Sequence, residues 1–180
     1  MSGRIFAVVG PSGAGKDTLM AAAKAMRPDL VWARRAITRP EEAGGEPFEG
    51  VSEAEFGGRR AAGGFAVWWE AHGLLYGVPA SIRDDLAEGR TVMFNGSRAA
   101  LPEARAAFPD LVFVLVTAPQ AALARRLAER GRETAEEIDR RLARAARPAP
   151  EGARIVVNDA DVETGARRLL AAFNLSTESV

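Results

Sequence analysis

The stretch that decides the fold is VVGPSGAGKDTLM, residues 8–20, where an apolar run passes into a glycine-rich loop and then into a helical pattern. Its segment GPSGAGK, residues 10–16, matches the pattern GxxxxGK of a phosphate-binding loop. Glycines let successive backbone N–H groups point at one phosphate, and the following helix N-terminus adds a positive partial charge. The loop therefore predicts a nucleotide site, to which we assign Gly10, Pro11, Ser12, Gly13, Ala14, Gly15 and Lys16.

The residue after Lys16 departs from the usual pattern. A Ser or Thr is expected there, because its hydroxyl binds the Mg²⁺ of the nucleotide; here Asp17 stands in that place, and Thr18 follows about 100° further around the helix. Asp17 either offers an anionic oxygen to Mg²⁺, directly or through water, or complements the helix dipole. We favour the metal interpretation, since a carboxylate beside the γ phosphate is repelled unless a cation lies between them.

Composition narrows the class of protein. A chain of 180 residues, 47% of them hydrophobic and 27% charged, predicts one globular domain with a real core. Twenty-four basic residues offset 24 acidic ones, so no basic field predicts nucleic-acid binding. The absence of cysteine and the single histidine, His72, argue against disulfides, thiolate zinc sites and histidine-rich metal sites. The N-terminal apolar run is too short for a signal peptide or a membrane span, and we expect a cytoplasmic protein.

The order of the segments predicts an α/β architecture. Apolar runs at 4–10, 90–96, 110–118 and 153–159 alternate with helical patterns, the first of them at 16–26. This alternation predicts a parallel sheet with helices on both faces, the three-layer P-loop fold. The segment 38–77 breaks the rhythm with glycine, aromatic and β-like sequence, and it is a candidate substrate-binding insert. Residues 119–147 read as helical with an interruption at Gly131, and the tail 174–180 is expected to fray.

Six motifs carry a specific resemblance across nearly the whole chain: GPSGAGKDT, AITRP, WEAHGLLYGV, NGSRAALPEAR, RLAERGRETAEEIDRRLARAAR and VVND. In this order and spacing they resemble the ribose 1,5-bisphosphate phosphokinases of phosphonate catabolism, relatives of guanylate kinase. In that family Asp follows the loop lysine. The resemblance implies a kinase that uses ATP and Mg²⁺ to phosphorylate the 1-phosphate of ribose 1,5-bisphosphate, giving 5-phosphoribosyl 1-diphosphate (PRPP). It also implies a single guanylate kinase-like domain, with core segments 1–37, 78–118 and 148–175, an acceptor-binding insert at about 38–77 and a helical lid at about 119–147.

Guanylate kinase is the nearest alternative, and the acceptor side of the sequence distinguishes the two. The chain is similar to guanylate kinases at a set of acceptor-side positions, namely Thr38, Arg39, Gly45, Glu46, Val51, Ser52, Glu55, Phe56 and Tyr76. It departs from them at Glu42, Phe48 and Val67, where guanylate kinases carry an arginine, a tyrosine and the glutamate that reads guanine. An unpaired donor of a buried guanine costs about 1 to 3 kcal/mol. The sequence therefore argues against GMP as the acceptor.

The segment NGSR, residues 95–98, follows a predicted central strand, where open α/β sheets bind ligands. Arg98 can hold a sugar phosphate through two hydrogen bonds, and Asn95 and Ser97 can bond sugar hydroxyls or a metal-bound water. The alternative is a plain Asn-Gly turn followed by a solvated arginine. With the residues that the resemblance adds, the predicted acceptor ligands are Thr38, Arg39, Tyr76, Asn95, Ser97 and Arg98.

Arginines of 119–147 are candidates for the phosphoryl-transfer chemistry, because mobile arginines can neutralise the charge of the transition state. The candidates are Arg126, Arg130, Arg132, Arg141 and Arg144. The resemblance assigns phosphate contacts to Arg130 and Arg141, which we take as catalytic with Lys16 and Asp17, and it places Arg126, Asn158 and Asp159 at the nucleotide. Without the resemblance, Asn158 and Asp159 read equally well as a strand-ending turn. We expect Arg125, Arg140 and Arg147 to lie on the surface.

No general base stands out in the sequence. A phosphate acceptor is already ionised at neutral pH and needs none, whereas a hydroxyl acceptor would more often require an aspartate base. His72 reads as a structural or ribose-contacting residue, and Trp32, Trp68 and Trp69 as core or pocket wall. A second alternative is a guanylate kinase-like module that binds a partner without catalysis. The sequence leaves the oligomeric state open, with a homodimer among the options.

Overall fold

The structure is a computed structural model that describes residues 3–11, 13–41, 46–129, 134–145 and 147–175, with Arg141 and Arg144 described by their backbone alone. The strands are β1 Arg4–Val9, β2 Val31–Trp32, β3 Ala36–Ile37, β4 Glu49–Gly50, β5 Phe65–Ala71, β6 Leu74–Pro79, β7 Thr91–Asn95, β8 Val112–Thr117 and β9 Arg154–Val157. The helices are α1 Lys16–Met26, α2 Glu53–Ala61, α3 Ile82–Ala87, α4 Leu101–Ala107, α5 Gln120–Glu129, α6 Ala135–Ala145 and α7 Val162–Ala172.

Five strands form a sheet in the order β2-β7-β1-β8-β9. Strand β2 runs parallel to β7, and β8 runs parallel to β9. The strands are short and almost wholly apolar, as expected where both faces of a sheet are covered, and β1 buries every residue after Arg4. The predicted α/β architecture is confirmed, as are the four predicted strands and the helix at 16–26.

The chain divides into two compact units, one comprising Met1–Ala7 and Pro28–Val112, the other Val8–Arg27 and Phe113–Val180. In the second unit α1 packs against α7, and Gly165 makes this approach close: a Cβ on Gly165 would lie 2.6 Å from Leu19 Cδ2. The described residues of 119–147 include two helices, α5 and α6, and the predicted interruption at Gly131 lies outside the described residues. The end of the predicted tail, 176–180, also lies outside them.

The first unit contains a four-stranded sheet in the order β4-β3-β6-β5, which confirms the β structure expected within 38–77. Strands β5 and β6 form a hairpin whose two-residue turn, His72 and Gly73, has positive φ angles of 54° and 73°. His72 is exposed at this turn. One face of the sheet packs on α2, where the Phe56 and Phe65 rings stack at 4.5 Å between centroids.

The three tryptophans have different environments. Trp69 is buried as predicted, and Trp32 is half-buried at the end of β2. The expectation for Trp68 is wrong, because its side chain is 38% exposed and lies under the guanidinium of Arg60. Trp68 and Trp69 are neighbours in a strand and so point to opposite faces of the sheet. Trp68 lies on the face that packs on α2, but its own side chain is only partly covered there.

None of the helices in the described part of the chain combines the length and the hydropathy needed to span a bilayer.

Helix α7 begins at an aspartate cap that offers a test of its stability. The Asp161 carboxylate accepts a hydrogen bond from the Thr164 amide at 2.8 Å, and this bond is the main reason that the pKa of Asp161 lies below its ordinary value. We expect Asp161→Ala to lower the melting temperature by about 2 to 4 °C at neutral pH. Because the lowered pKa stabilises the fold only while the group is ionised, the difference should narrow as pH falls through that pKa. Thermal melts from neutral to acidic pH measure this, and a constant difference would contradict the ionised cap.

Candidate functional site

The phosphate-binding loop has the backbone that its glycines allow. Gly13 and Gly15 have φ angles of 87° and 83°, in the left-handed region that side chains disfavour. Gly10 lies against β8, so closely that a Cβ on it would be 2.3 Å from the Val116 carbonyl oxygen. Backbone conformation therefore requires glycine at positions 13 and 15, and close packing requires it at position 10. Ser12 lies outside the described residues.

Two side chains hold the loop from outside. Asn158, just beyond the end of β9, is buried and its Nδ2 donates a hydrogen bond to the Ala14 carbonyl at 2.7 Å. Arg126, on α5, donates from NH1 to the Gly13 carbonyl at 3.2 Å. Both bonds occupy carbonyl oxygens of the loop. They thereby fix the peptide units that join Gly13 to Ala14 and Ala14 to Gly15.

The N-terminus of α1 carries no side-chain cap among the described residues. Its N-cap is Gly15, which has no side chain to satisfy the first amides of the helix. These amides and the helix dipole favour an anion at this point. The structure brings this helix start together with Lys16, whose ammonium lies 3.7 Å from an Asp17 carboxylate oxygen.

Asp17 lies in the first turn of α1 with 43% of its side chain exposed. No group of three or more acidic, histidine or cysteine side chains that could hold a metal occurs within the described residues. A site with one carboxylate suits Mg²⁺, which usually keeps several waters and binds through one or two carboxylates and the phosphates of its nucleotide. The donor set therefore fits Mg²⁺ bound together with a nucleotide, and the position of Asp17 also fits a helix-dipole role.

The remaining nucleotide and lid residues are only partly described. Arg130 and Arg132 lie outside the described residues, and the side chains of Arg141 and Arg144 do too. The Asp159 carboxylate is exposed and accepts a hydrogen bond from Arg168 at 2.5 Å, and that bond lowers the pKa of Asp159. Arg125 lies on the surface as predicted, where it forms an ion pair with Glu129 at 3.7 Å.

One candidate acceptor residue, Tyr76, lies on a face of the four-stranded sheet together with Arg35 and Trp69. Side chains alternate along a strand, so Arg35 and Ile37 point to the same face, but the chain turns after Ile37, where the Arg39 amide donates to the Ile37 carbonyl at 2.8 Å. Cross-strand pairing adds Tyr76 opposite Ile37, and Trp69 opposite Tyr76. The Trp69 and Tyr76 rings stack at 5.4 Å, and the Arg35 guanidinium lies over both of them, at 5.4 Å and 5.1 Å. This face presents Arg35 and two aromatic rings.

Arg35 is the centre of a buried polar cluster. Its guanidinium donates through two nitrogens to the two carboxylate oxygens of Glu46, and the side chains of this pair are 7% and 9% exposed. Glu46 Oε2 also accepts a hydrogen bond from Asn95 Nδ2 at 2.6 Å. Asn95 is the last residue of β7 and is buried. The cluster therefore connects the start of β3 with the carboxyl end of β7.

A cavity of about 420 Å³ lies in the same unit, and its lining among the described residues includes Thr38, Arg39, Pro40, Glu41, Gly50 and Val51. The Arg39 guanidinium lies 4.4 Å above the Phe48 ring, which can support it through a cation–π contact. Thr38 holds the sheet together, because its hydroxyl accepts a hydrogen bond from the Leu75 amide at 2.9 Å. Two predicted acceptor residues thus line one cavity.

Two further predicted acceptor residues follow β7. Ser97 precedes a 3₁₀ turn, Arg98–Ala100, and its buried hydroxyl makes no hydrogen bond with any residue that the structure describes.

Val67, at the place of the guanine-reading glutamate of guanylate kinases, is 3% exposed and pairs across the hairpin with Val78. Glu42 lies outside the described residues.

Sequence reasoning did not single out Arg35 or assign a role to Trp69 beyond the core or pocket wall. The signal was present in the alternation of ARRAI, residues 33–37, which places Arg35 on the face of Ile37. The partners of Arg35 were not readable in this way. Glu46 comes from a loop, and Trp69 reaches the cluster only through the register of the β5–β6 hairpin.

Comparison with known proteins supports this description. No protein-family model matches the chain. The bifunctional ribose 1,5-bisphosphokinase-thymidine phosphorylase of Cupriavidus necator is 46% identical over 99% of the chain, which spans only 30% of that protein. Ribose 1,5-bisphosphate phosphokinase PhnN of Thiobacillus denitrificans is 46% identical over 93% of the chain and 91% of its own length. A guanylate kinase structure from Anaplasma phagocytophilum matches with a TM-score of 0.71 over 96% of this chain and 85% of that one; at 18% identity it confirms the predicted fold alone.

Gly15 offers a sharp test of the loop. A Cβ at this position would meet Asn158 Nδ2 at 2.5 Å and would have to adopt a positive φ. We expect Gly15→Ala to weaken ATP binding by about tenfold or more, because it combines backbone strain with displacement of the Asn158 clamp. Isothermal titration calorimetry with MgATP measures the change.

Gly152→Ala is the matched control for that variant. Gly152 also has a positive φ, 70°, but no atom lies within 4 Å of its Cβ position. It carries the same kind of backbone strain without a clash, so its ATP affinity should equal that of the parent protein. Equal losses in both variants would contradict a specific role for the loop contact.

Proposed function

The chain belongs to the ribose 1,5-bisphosphate phosphokinase family, and from this we propose that it transfers the γ phosphate of ATP to the 1-phosphate of ribose 1,5-bisphosphate. An oxygen of the acceptor phosphate forms a bond to the γ phosphorus. The bond from that phosphorus to the β–γ bridging oxygen breaks, and ADP leaves. The products are ADP and 5-phosphoribosyl 1-diphosphate, the compound PRPP.

The donor side of the proposal rests on the phosphate-binding loop. Its glycine conformations, its uncapped helix start and Lys16 together form an anion site suited to the phosphates of ATP. Asn158 and Arg126 hold the loop carbonyls, which supports their assignment to the nucleotide site. Residues 119–147 act in this proposal as a lid, whose arginines Arg130 and Arg141 neutralise charge on the transferring phosphoryl group.

The acceptor side rests on one observation above all: the guanine-reading position is the buried, apolar Val67, whereas Thr38 and Arg39 line a cavity in the same unit. A sugar bisphosphate has two phosphates and several hydroxyls but no base. Arg39, Tyr76 and Arg98 bind its phosphates, while Asn95 and Ser97 contact its hydroxyls and Thr38 completes the acceptor site. Val67 offers no carboxylate that could bind the edge of a purine base.

The chemistry needs positioning more than proton transfer. A phosphate monoester has a second pKa of about 6, so the acceptor phosphate oxygen that attacks is already anionic at neutral pH. Catalysis then consists of holding donor and acceptor in line and neutralising the charge that spreads over the equatorial oxygens. Mg²⁺, held by the ATP phosphates with Asp17 nearby, supplies part of that neutralisation when it is bound.

The proposed reaction is tested by ADP release from MgATP with three acceptor conditions at equal concentration: ribose 1,5-bisphosphate, GMP and no acceptor. We expect rapid release with the sugar bisphosphate and only background release with GMP. Preferential turnover of GMP would instead identify a guanylate kinase. Absence of turnover with either acceptor, despite ATP binding, would favour a non-catalytic module.

The proposed metal role of Asp17 is tested by Asp17→Asn. We expect the Mg²⁺ concentration for half-maximal activity to rise by about tenfold or more, because the variant keeps the side-chain size but loses the anionic oxygen. Initial rates over a range of Mg²⁺ at saturating ATP measure it.

Glu163→Gln is the matched control, since Glu163 is an exposed carboxylate in the first turn of the equally long helix α7. If Asp17 only complements the helix dipole, both variants should lose a little thermal stability and neither should change the Mg²⁺ requirement.

A further inference from the structure

The carboxylate of Glu46 lies between two side chains, Arg35 and Asn95, and is hydrogen-bonded to both. On one side it receives two hydrogen bonds from Arg35, and on the other it receives the 2.6 Å bond from Asn95. Asn95 is one of the residues proposed to bind the acceptor. Its amide is therefore oriented by a residue that the proposed reaction does not itself use.

The orientation of the Asn95 amide follows from chemistry. An ionised carboxylate can only accept hydrogen bonds, whereas an amide has a donor end and an acceptor end. The nitrogen of Asn95 must therefore face Glu46, and its carbonyl oxygen Oδ1 points the opposite way. An inverted amide would place two acceptor oxygens against each other in a buried place, which is unfavourable.

Arg35 keeps Glu46 from moving away. The arginine forms a two-pronged pair with the carboxylate, and its guanidinium is supported by the Trp69 and Tyr76 rings. A planar guanidinium matches a carboxylate through two parallel bonds and stacks on aromatic faces, which a lysine cannot do. Since both charged side chains are almost fully buried, separating them would leave an unpaired charge.

We infer that Arg35 and Glu46 are positioning residues that make Asn95 present a hydrogen-bond acceptor to a ring hydroxyl of the acceptor sugar. This inference rests on the proposed function. A carbonyl oxygen attracts a hydroxyl, which can donate, and repels an ionised phosphate oxygen, which cannot. The site then selects a sugar with its hydroxyl in place and rejects the corresponding deoxy sugar.

The test compares kcat/KM for ribose 1,5-bisphosphate and for its 2-deoxy and 3-deoxy analogues. We expect kcat/KM of the parent protein to be about 10- to 100-fold lower for one of the two analogues than for ribose 1,5-bisphosphate, because that analogue lacks the hydroxyl that donates to the Asn95 oxygen. In Asn95→Ala that ratio should fall towards unity, through loss of activity on the hydroxylated sugar. The analogue that is discriminated identifies the hydroxyl.

The positioning role is tested by Arg35→Lys and Glu46→Gln. Both should reduce the hydroxyl discrimination several-fold, mainly through KM for the sugar, with KM for ATP unchanged. Arg59→Lys is the matched control, because Arg59 forms the same two-pronged pair with Glu49 but in an exposed position of the same unit. Arg59→Lys should discriminate between the hydroxylated sugar and its deoxy analogues as strongly as the parent protein does.

The outcomes separate the two claims. Equal use of all three sugars by the parent protein would overturn the inference alone, and this measurement requires no variant to fold. Discrimination that persists unchanged in folded Asn95→Ala, Arg35→Lys and Glu46→Gln, each checked by circular dichroism, would also overturn it. No turnover of ribose 1,5-bisphosphate by the parent protein would overturn the proposed function and the inference with it.

Discussion

The first unit, which we propose binds the acceptor, depends on one buried ion pair, between Arg35 and Glu46. Neither charge is stable in the interior alone, and removing one partner of such a pair typically costs about 3 to 5 kcal/mol. The pair therefore fixes residue 46 of a loop to the start of β3. Trp69 and Tyr76 provide the surface on which the guanidinium rests, and Asn95 receives its orientation from the same carboxylate.

The second unit is organised by a different means. Its loop is shaped by backbone conformation at Gly13 and Gly15 and held by hydrogen bonds to its carbonyl oxygens. Neither of these two side-chain bonds uses a loop amide. In the proposed function the first unit thus binds a specific sugar through fixed side chains, and the second unit binds the phosphates of a nucleotide through fixed backbone.

Much of the fold could be predicted because its signals are local. The strand, glycine loop and helix at 4–26 follow from apolar runs, glycine spacing and helical periodicity, and the β character of 65–79 follows from its aromatic and β-branched residues. The exposure of Trp68 could not be predicted, because alternation gives two faces but not how far a neighbouring element covers each side chain. The partners of Arg35 lie 11 to 41 residues away along the chain, and no local pattern encodes those contacts.

The central claim is that the phosphoryl group goes to a phosphate oxygen, which explains why a site rich in arginine needs no general base. The most direct measurement is the ³¹P NMR spectrum of the product formed from ATP and ribose 1,5-bisphosphate. The account predicts two mutually coupled resonances of a new diphosphate on carbon 1, with the 5-phosphate unchanged. A product with three uncoupled phosphate monoester resonances would mean transfer to a hydroxyl and would contradict the account.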